Sequence, residues 1–164
     1  MKRLTRVAPI KSQKQKPPRC DTKSKHQNKK SMLLSCMDYR FVQATLNFLA
    51  KRYCETTTDT FVLAGASLGF NTNSSWSQIY LEHVDLAIRL HAISRLTVVD
   101  HWDCGYYESV YPDVSTKNMV PLHKENISTM LTTLRRLYPD LLVEGFLLRV
   151  HEESGKIVFQ PVRS

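Results

Sequence analysis

At 164 residues the chain has room for one domain with a core of its own, and a two-domain machine is excluded on size. Hydrophobic residues at 42% and charged residues at 23% describe a globular protein, and no apolar run approaches the roughly eighteen residues of a transmembrane segment. The formal charge of +8 is local: residues 1–30 hold eleven Lys/Arg against Asp21 alone, and residues 31–164 hold twelve against fourteen Asp/Glu, so the body is no nucleic-acid surface.

Residues 1–30 carry Pro17-Pro18, mix Lys with Gln and Ser and show no hydrophobic period, so they are expected to form a disordered basic arm ahead of a single α/β domain over 31–164. The arm has no secretory apolar stretch, which points to a cytoplasmic, reducing compartment in which the four cysteines are not a disulfide framework. Other uses of such an arm are an organelle transit segment or an electrostatic tether to RNA or anionic lipid.

From Ser31 onward short apolar runs alternate with helical periods. Ser31 to Ser35 reads as a buried strand, and Phe41, Thr45, Leu46, Leu49 and Tyr53 follow at helix spacing. Thr60 to Ala64 is a second strand, closed by the loop Gly65-Ala66-Ser67-Leu68-Gly69. Trp76, Ile79, Tyr80, Val84, Ala87, Ile88 and His91 then mark one face of the strongest helix. Leu96 to Asp100 is β-branched and short, as a central parallel strand is. A loop bearing Pro112 and Pro121 leads to a helix with Ile127, Met130, Leu131, Leu134 and Leu137, which Pro139 ends. Val143 to Val150, a Ser154-Gly155 turn and Lys156 to Val162 read as a hairpin. The alternation predicts a central parallel sheet with helices on its faces and an antiparallel C-terminal edge.

The layout gives the cysteines their meaning. Cys36 directly follows the first strand, and His101 and Cys104 directly follow the third, where open α/β sheets place their sites. Two thiolates and an imidazole make three vertices of a tetrahedral zinc site, whereas magnesium and calcium ask for oxygen ligands. With no fourth Cys or His in view, the pattern is that of a catalytic zinc with an open vertex. Asp38 and Arg40 follow Cys36 at alternate positions, close enough to pair beside the metal; a helix cap or a plain ion pair is the simpler reading of either.

C-x-D-x-R after the first strand and H-x-x-C-G after the third resemble the motifs of the β-class carbonic anhydrases, over about residues 31–162. The resemblance implies zinc on Cys36, His101 and Cys104, a homodimer or higher even oligomer, and reversible hydration of carbon dioxide to bicarbonate. It also implies that Asp38 either accepts a hydrogen bond from the metal-bound hydroxide or swings onto the zinc, with Arg40 holding it off. Carbonyl sulfide and carbon disulfide hydrolases share the family. A silent zinc-fold module whose arm does the binding is the alternative of another class. The chain departs from the family at Val62-Leu63, where most members carry Arg-Asn, and at Asp100, where glycine precedes the histidine. It looks like a divergent branch. His83 and His123 are the proton-shuttle candidates, with ordinary surface or core roles as their simpler reading. Trp102, Tyr106 and Tyr107 read as packing or contact residues beside the site.

Overall fold

The computed structural model describes residues 30–53, 58–151 and 153–164. The expected arm, Cys20 and Cys54 lie outside the described residues. Five strands, β1 (Ser31–Ser35), β2 (Thr58–Val62), β3 (Arg95–His101), β4 (Leu142–Val150) and β5 (Ile157–Val162), form one sheet in the order β2-β1-β3-β4-β5. The first four are parallel and β5 pairs with β4 antiparallel, as the sequence predicts. The helices are α1 (Val42–Tyr53), α2 (Ser67–Thr72), α3 (Ser74–His91), α4 (Gly105–Val110) and α5 (Val120–Leu137).

Side-chain alternation divides the core into two layers. Leu34, Leu96, Val98, Val143 and Leu147 face α3 and α5, where Tyr80, Val84, Ile127, Met130 and Leu131 cover them. Leu33, Val99, Phe146 and Leu148 face the other way, against Phe41, Leu49 and Tyr53 of the α1 segment. β3 is buried along its whole length, and its apolar centre, Leu96 to Val99, is interrupted only by Thr97. On β4, Gly145 lets α5 approach closely, since a Cβ there would stand 2.5 Å from Ile127 Cγ2.

This topology creates the site. The chain leaves β1 toward β2 by way of α1 on one face, and leaves β3 toward β4 by way of α5 on the other. The two connections diverge at the carboxyl ends of neighbouring strands and leave a crevice between them.

Several local expectations shift. β2 lies two residues earlier than expected, because the chain turns at Leu63: the Ala66 N–H donates to the Leu63 carbonyl at 2.9 Å, with Gly65 at φ 66° and Ala66 at φ 38°. α2 and α4 occupy stretches expected as loop; six residues each are too few to show a helical period. Pro121 sits in the first turn of α5, where its missing N–H costs nothing. Ile79, expected on the buried face of α3, is 46% exposed.

Candidate metal centre

β1 ends at Ser35 and delivers Cys36 to the crevice, while β3 ends at His101 and a short turn brings Cys104 to the N-cap of α4. The two sulfurs stand 3.7 Å apart, and the ligand atoms of Cys36, His101 and Cys104 all lie within 4.8 Å of one another. All three residues are buried. The structure thus brings together the trio that the sequence singles out from loops 68 residues apart.

The donor set fits a soft or borderline dication. His101 Nδ1 is bonded to Asp103 Oδ1 at 2.9 Å, and its Nε2 is buried with no hydrogen-bond partner. A buried, unpartnered ring nitrogen beside two sulfurs is an atom in want of a ligand. The charges agree. The hydrogen bond from the Cys104 thiol, helped by His101 and the Gly65 N–H, outweighs burial and draws the Cys36 thiol down to about 4. The Cys36 sulfur in turn, with burial, pushes the Cys104 thiol up. Burial disfavours a charged His101, yet Asp103 and Cys36 overcome it and hold the imidazole at about 9.

Beside the trio, Asp38 and Arg40 form a forked ion pair. Arg40 Nη2 reaches Asp38 Oδ2 at 2.6 Å, Nε lies 3.0 Å from both carboxylate oxygens, and the Arg40 backbone N–H donates to Oδ1 at 3.0 Å. Burial works against the Asp38 charge, but these Arg40 contacts prevail and hold its carboxyl below the usual range. Asp38 Oδ2 stands 3.8 Å from the free His101 Nε2, so the carboxylate borders the ligand cluster while the guanidinium restrains it. Asp38 is turned to Arg40 and not to the start of α1: its carbonyl accepts from the Phe41 N–H at 3.4 Å, and its carboxylate accepts from the Arg40 backbone and guanidinium. A cavity of about 10 Å3, room for roughly one water, opens against Asp38 and His101 and is lined also by Phe41, Val42, Val99 and Leu148.

Sequence reasoning missed Asp103, which bonds His101 through one oxygen and Arg40 Nη1 through the other at 2.8 Å. The signal was a carboxylate two residues after the histidine. Asp100, which stands where the family has glycine, points away from His101, as neighbouring strand residues do. It accepts from Ser67 N at 3.1 Å, Ser67 Oγ at 2.6 Å and Tyr107 Oη at 2.8 Å. His123 is wholly buried, stacked 3.6 Å from the Tyr107 ring, with Nδ1 3.5 Å from Asp100 Oδ2. His83 is exposed on α3 and bonds the Ile79 carbonyl. Tyr107 packs with Cys36 and Cys104, and Trp102 packs against the α3–α5 layer. Val62 and Leu63 make no part of the cluster of ligand atoms.

The chain is similar to two curated relatives, each called only an uncharacterized protein: one from Rickettsia bellii (strain RML369-C), 26% identical over 123 residues, and one from Rickettsia conorii (strain ATCC VR-613 / Malish 7), 24% identical over 123 residues. The matches take in 72% of this chain and 75% and 66% of those proteins. Its fold is similar to the crystal structure of the β-carbonic anhydrase CafA of the fungal pathogen Aspergillus fumigatus, with a TM-score of 0.54 at 15% identity over 84% of this chain and 78% of that one. A family model described as "Putative carbonic anhydrase" matches residues 26–157. By that match, which spans β1 to β4, both cysteine-bearing loops and the helices between them, the chain belongs to this carbonic-anhydrase-like family.

Proposed function

We propose that the protein is a zinc enzyme for the reversible hydration of carbon dioxide to bicarbonate, with Cys36, His101 and Cys104 holding the metal and Asp38 with Arg40 governing the open vertex. The observation that carries the reading is the unpartnered His101 Nε2 beside two sulfurs, with the Asp38 carboxylate at 3.8 Å. Bound there, zinc supplies a positive centre that makes water nucleophilic near neutral pH.

The rest belongs to the chain. Two thiolates cancel much of a dication's charge, so an acceptor beside the metal gains importance, and Asp38 is the carboxylate in that place. Arg40 keeps it ionised and restrained, able to accept a proton-bearing partner but held back from becoming a ligand itself. Phe41, Val42, Val99 and Leu148 give the adjoining cavity an apolar wall, which suits a small uncharged substrate better than its anionic product. Among the described residues no helix is long and apolar enough to cross a membrane.

Purified protein is expected to carry about one zinc per chain and to hydrate carbon dioxide in stopped-flow assays. Cys104→Ser and His101→Ala should lose metal and stability together, because a ligand that binds only the native state stabilises it. Serine at Cys20 or Cys54 should leave zinc untouched. Full zinc in Cys104→Ser rules out this ligand set. Turnover of carbonyl sulfide but not carbon dioxide moves the enzyme to the hydrolase branch; zinc without turnover of either makes it a silent fold.

A further inference from the structure

We infer that Asp103 is a positioning residue that sets the His101 ring for the metal through one carboxylate oxygen and ties that ligand to the Arg40–Asp38 pair through the other. The inference rests on the zinc reading above and gives a role to a position that the H-x-x-C motif leaves open. Oδ1 meets His101 Nδ1 at 2.9 Å and Oδ2 meets Arg40 Nη1 at 2.8 Å. Both partners are side chains, one 2 and the other 63 residues away, so the carboxylate does more than close its own turn.

The consequence for His101 is chemical. In the neutral ring that a metal requires, Nδ1–H donating to a carboxylate leaves the lone pair on Nε2, the atom found buried and unpartnered among the sulfurs. The same contact fixes the ring's rotation and raises its basicity as a ligand. Phe41, packed on His101 at 4.9 Å between centroids, fills one side of the ring but offers no acceptor.

The consequence for the gate is mechanical. Arg40 divides its planar fork: Nε and Nη2 go to Asp38, Nη1 to Asp103. A guanidinium is rigid, so Asp38 cannot swing away from Arg40, nor Arg40 follow it, without straining the contact that aligns His101. Ligand alignment and gate position are thus set by one chain of four side chains, Asp38, Arg40, Asp103 and His101.

The test measures zinc affinity by competition with a chelator and the absorption of the cobalt(II)-substituted protein, in wild type, Asp103→Ala and Asp103→Asn. Asp103→Ala should bind zinc about 10- to 100-fold more weakly, with shifted cobalt ligand-field bands. Asp103→Asn keeps an acceptor for Nδ1–H but turns an amide nitrogen or nothing toward Arg40. It should recover most of the affinity while altering the pH profile of hydration. Being nearly isosteric, it carries the test alone if Asp103→Ala does not fold. Wild-type affinity and an unchanged cobalt spectrum in Asp103→Ala overturn the inference. So does an Asp103→Asn no better than Asp103→Ala, because the carboxylate would then act as charge and not as a guide. If wild type binds no zinc or cobalt, or His101→Ala binds them as well as wild type, the zinc reading itself has failed and this inference falls with it.

Discussion

The Tyr107 hydroxyl donates to Asp100 Oδ2 at 2.8 Å in a pocket where the aspartate is 1% exposed and the tyrosine wholly buried. Ser67 adds its backbone N–H and its hydroxyl to the same carboxylate, so the start of α2, the end of β3 and α4 meet on one anion. Stripping it should cost more than any one donor. Asp100→Ala is expected to destabilise by about 3 kcal/mol and Tyr107→Phe by about 1 kcal/mol, read from urea unfolding. Equal losses in the two variants would show that the network is not centred on Asp100.

Gly65 is where backbone and site meet. Its φ of 66° suits glycine, and an added Cβ would stand 2.5 Å from Tyr106 Cδ1. Gly65→Ala should therefore cost about 1–3 kcal/mol. Because the Gly65 N–H also supports the Cys36 sulfur, zinc affinity should drop as well. A variant that unfolds earlier yet binds zinc as wild type does would confine Gly65 to the backbone.

The pairing of Asp38 with Arg40 leads to opposite chemical changes with one outcome. Arg40→Ala frees a carboxylate to occupy the open vertex, and Asp38→Asn removes the anionic acceptor. Each should retain zinc and lower kcat for hydration by at least about tenfold, the span of a modest general acid–base contribution. Unaltered kcat in both would reduce the two residues to an ion pair.

Glu144 gives a stability term with a defined sign. Burial raises its carboxyl, but Tyr53 at 2.6 Å and Arg52 at 2.7 Å outweigh that and hold it below the usual glutamate value. A carboxyl depressed in the folded state contributes stability that is complete above the unfolded value, about 4.3, and is lost as pH falls through the lower folded value. Glu144→Gln should therefore narrow the stability gap between pH 7 and pH 3. Arg52 and Glu144 are partly exposed, so the effect is under about 1 kcal/mol. An identical pH profile for the variant argues against it.

The sheet and the clustering of Cys36, His101 and Cys104 were legible because each depends on local pattern: short apolar segments mark β1 and β3, and a residue at or directly after a strand's end is delivered to the carboxyl end of the sheet. Asp103 was not, since its meaning depends on Arg40, which the chain brings from 63 residues away. Asp100 adjoins His101 in sequence, but strand pleating turns the two to opposite faces. Six-residue helices such as α2 and α4 escape any periodicity argument, and their starts are set instead by tertiary bonds such as those from Ser67 to Asp100.

The 68 residues between the two sulfur ligands also set an order of events during synthesis. Cys36 leaves the ribosome first, and at about 5–20 residues per second some 3–14 seconds pass before Cys104 is made. Until then β1 has no β3 to lie against, and the Cys36 thiol waits without its imidazole or its second sulfur. On the zinc reading, metal capture would thus be a late step that records completed pairing of the two central strands, and a nascent chain halted before residue 101 holds Cys36 alone of the trio.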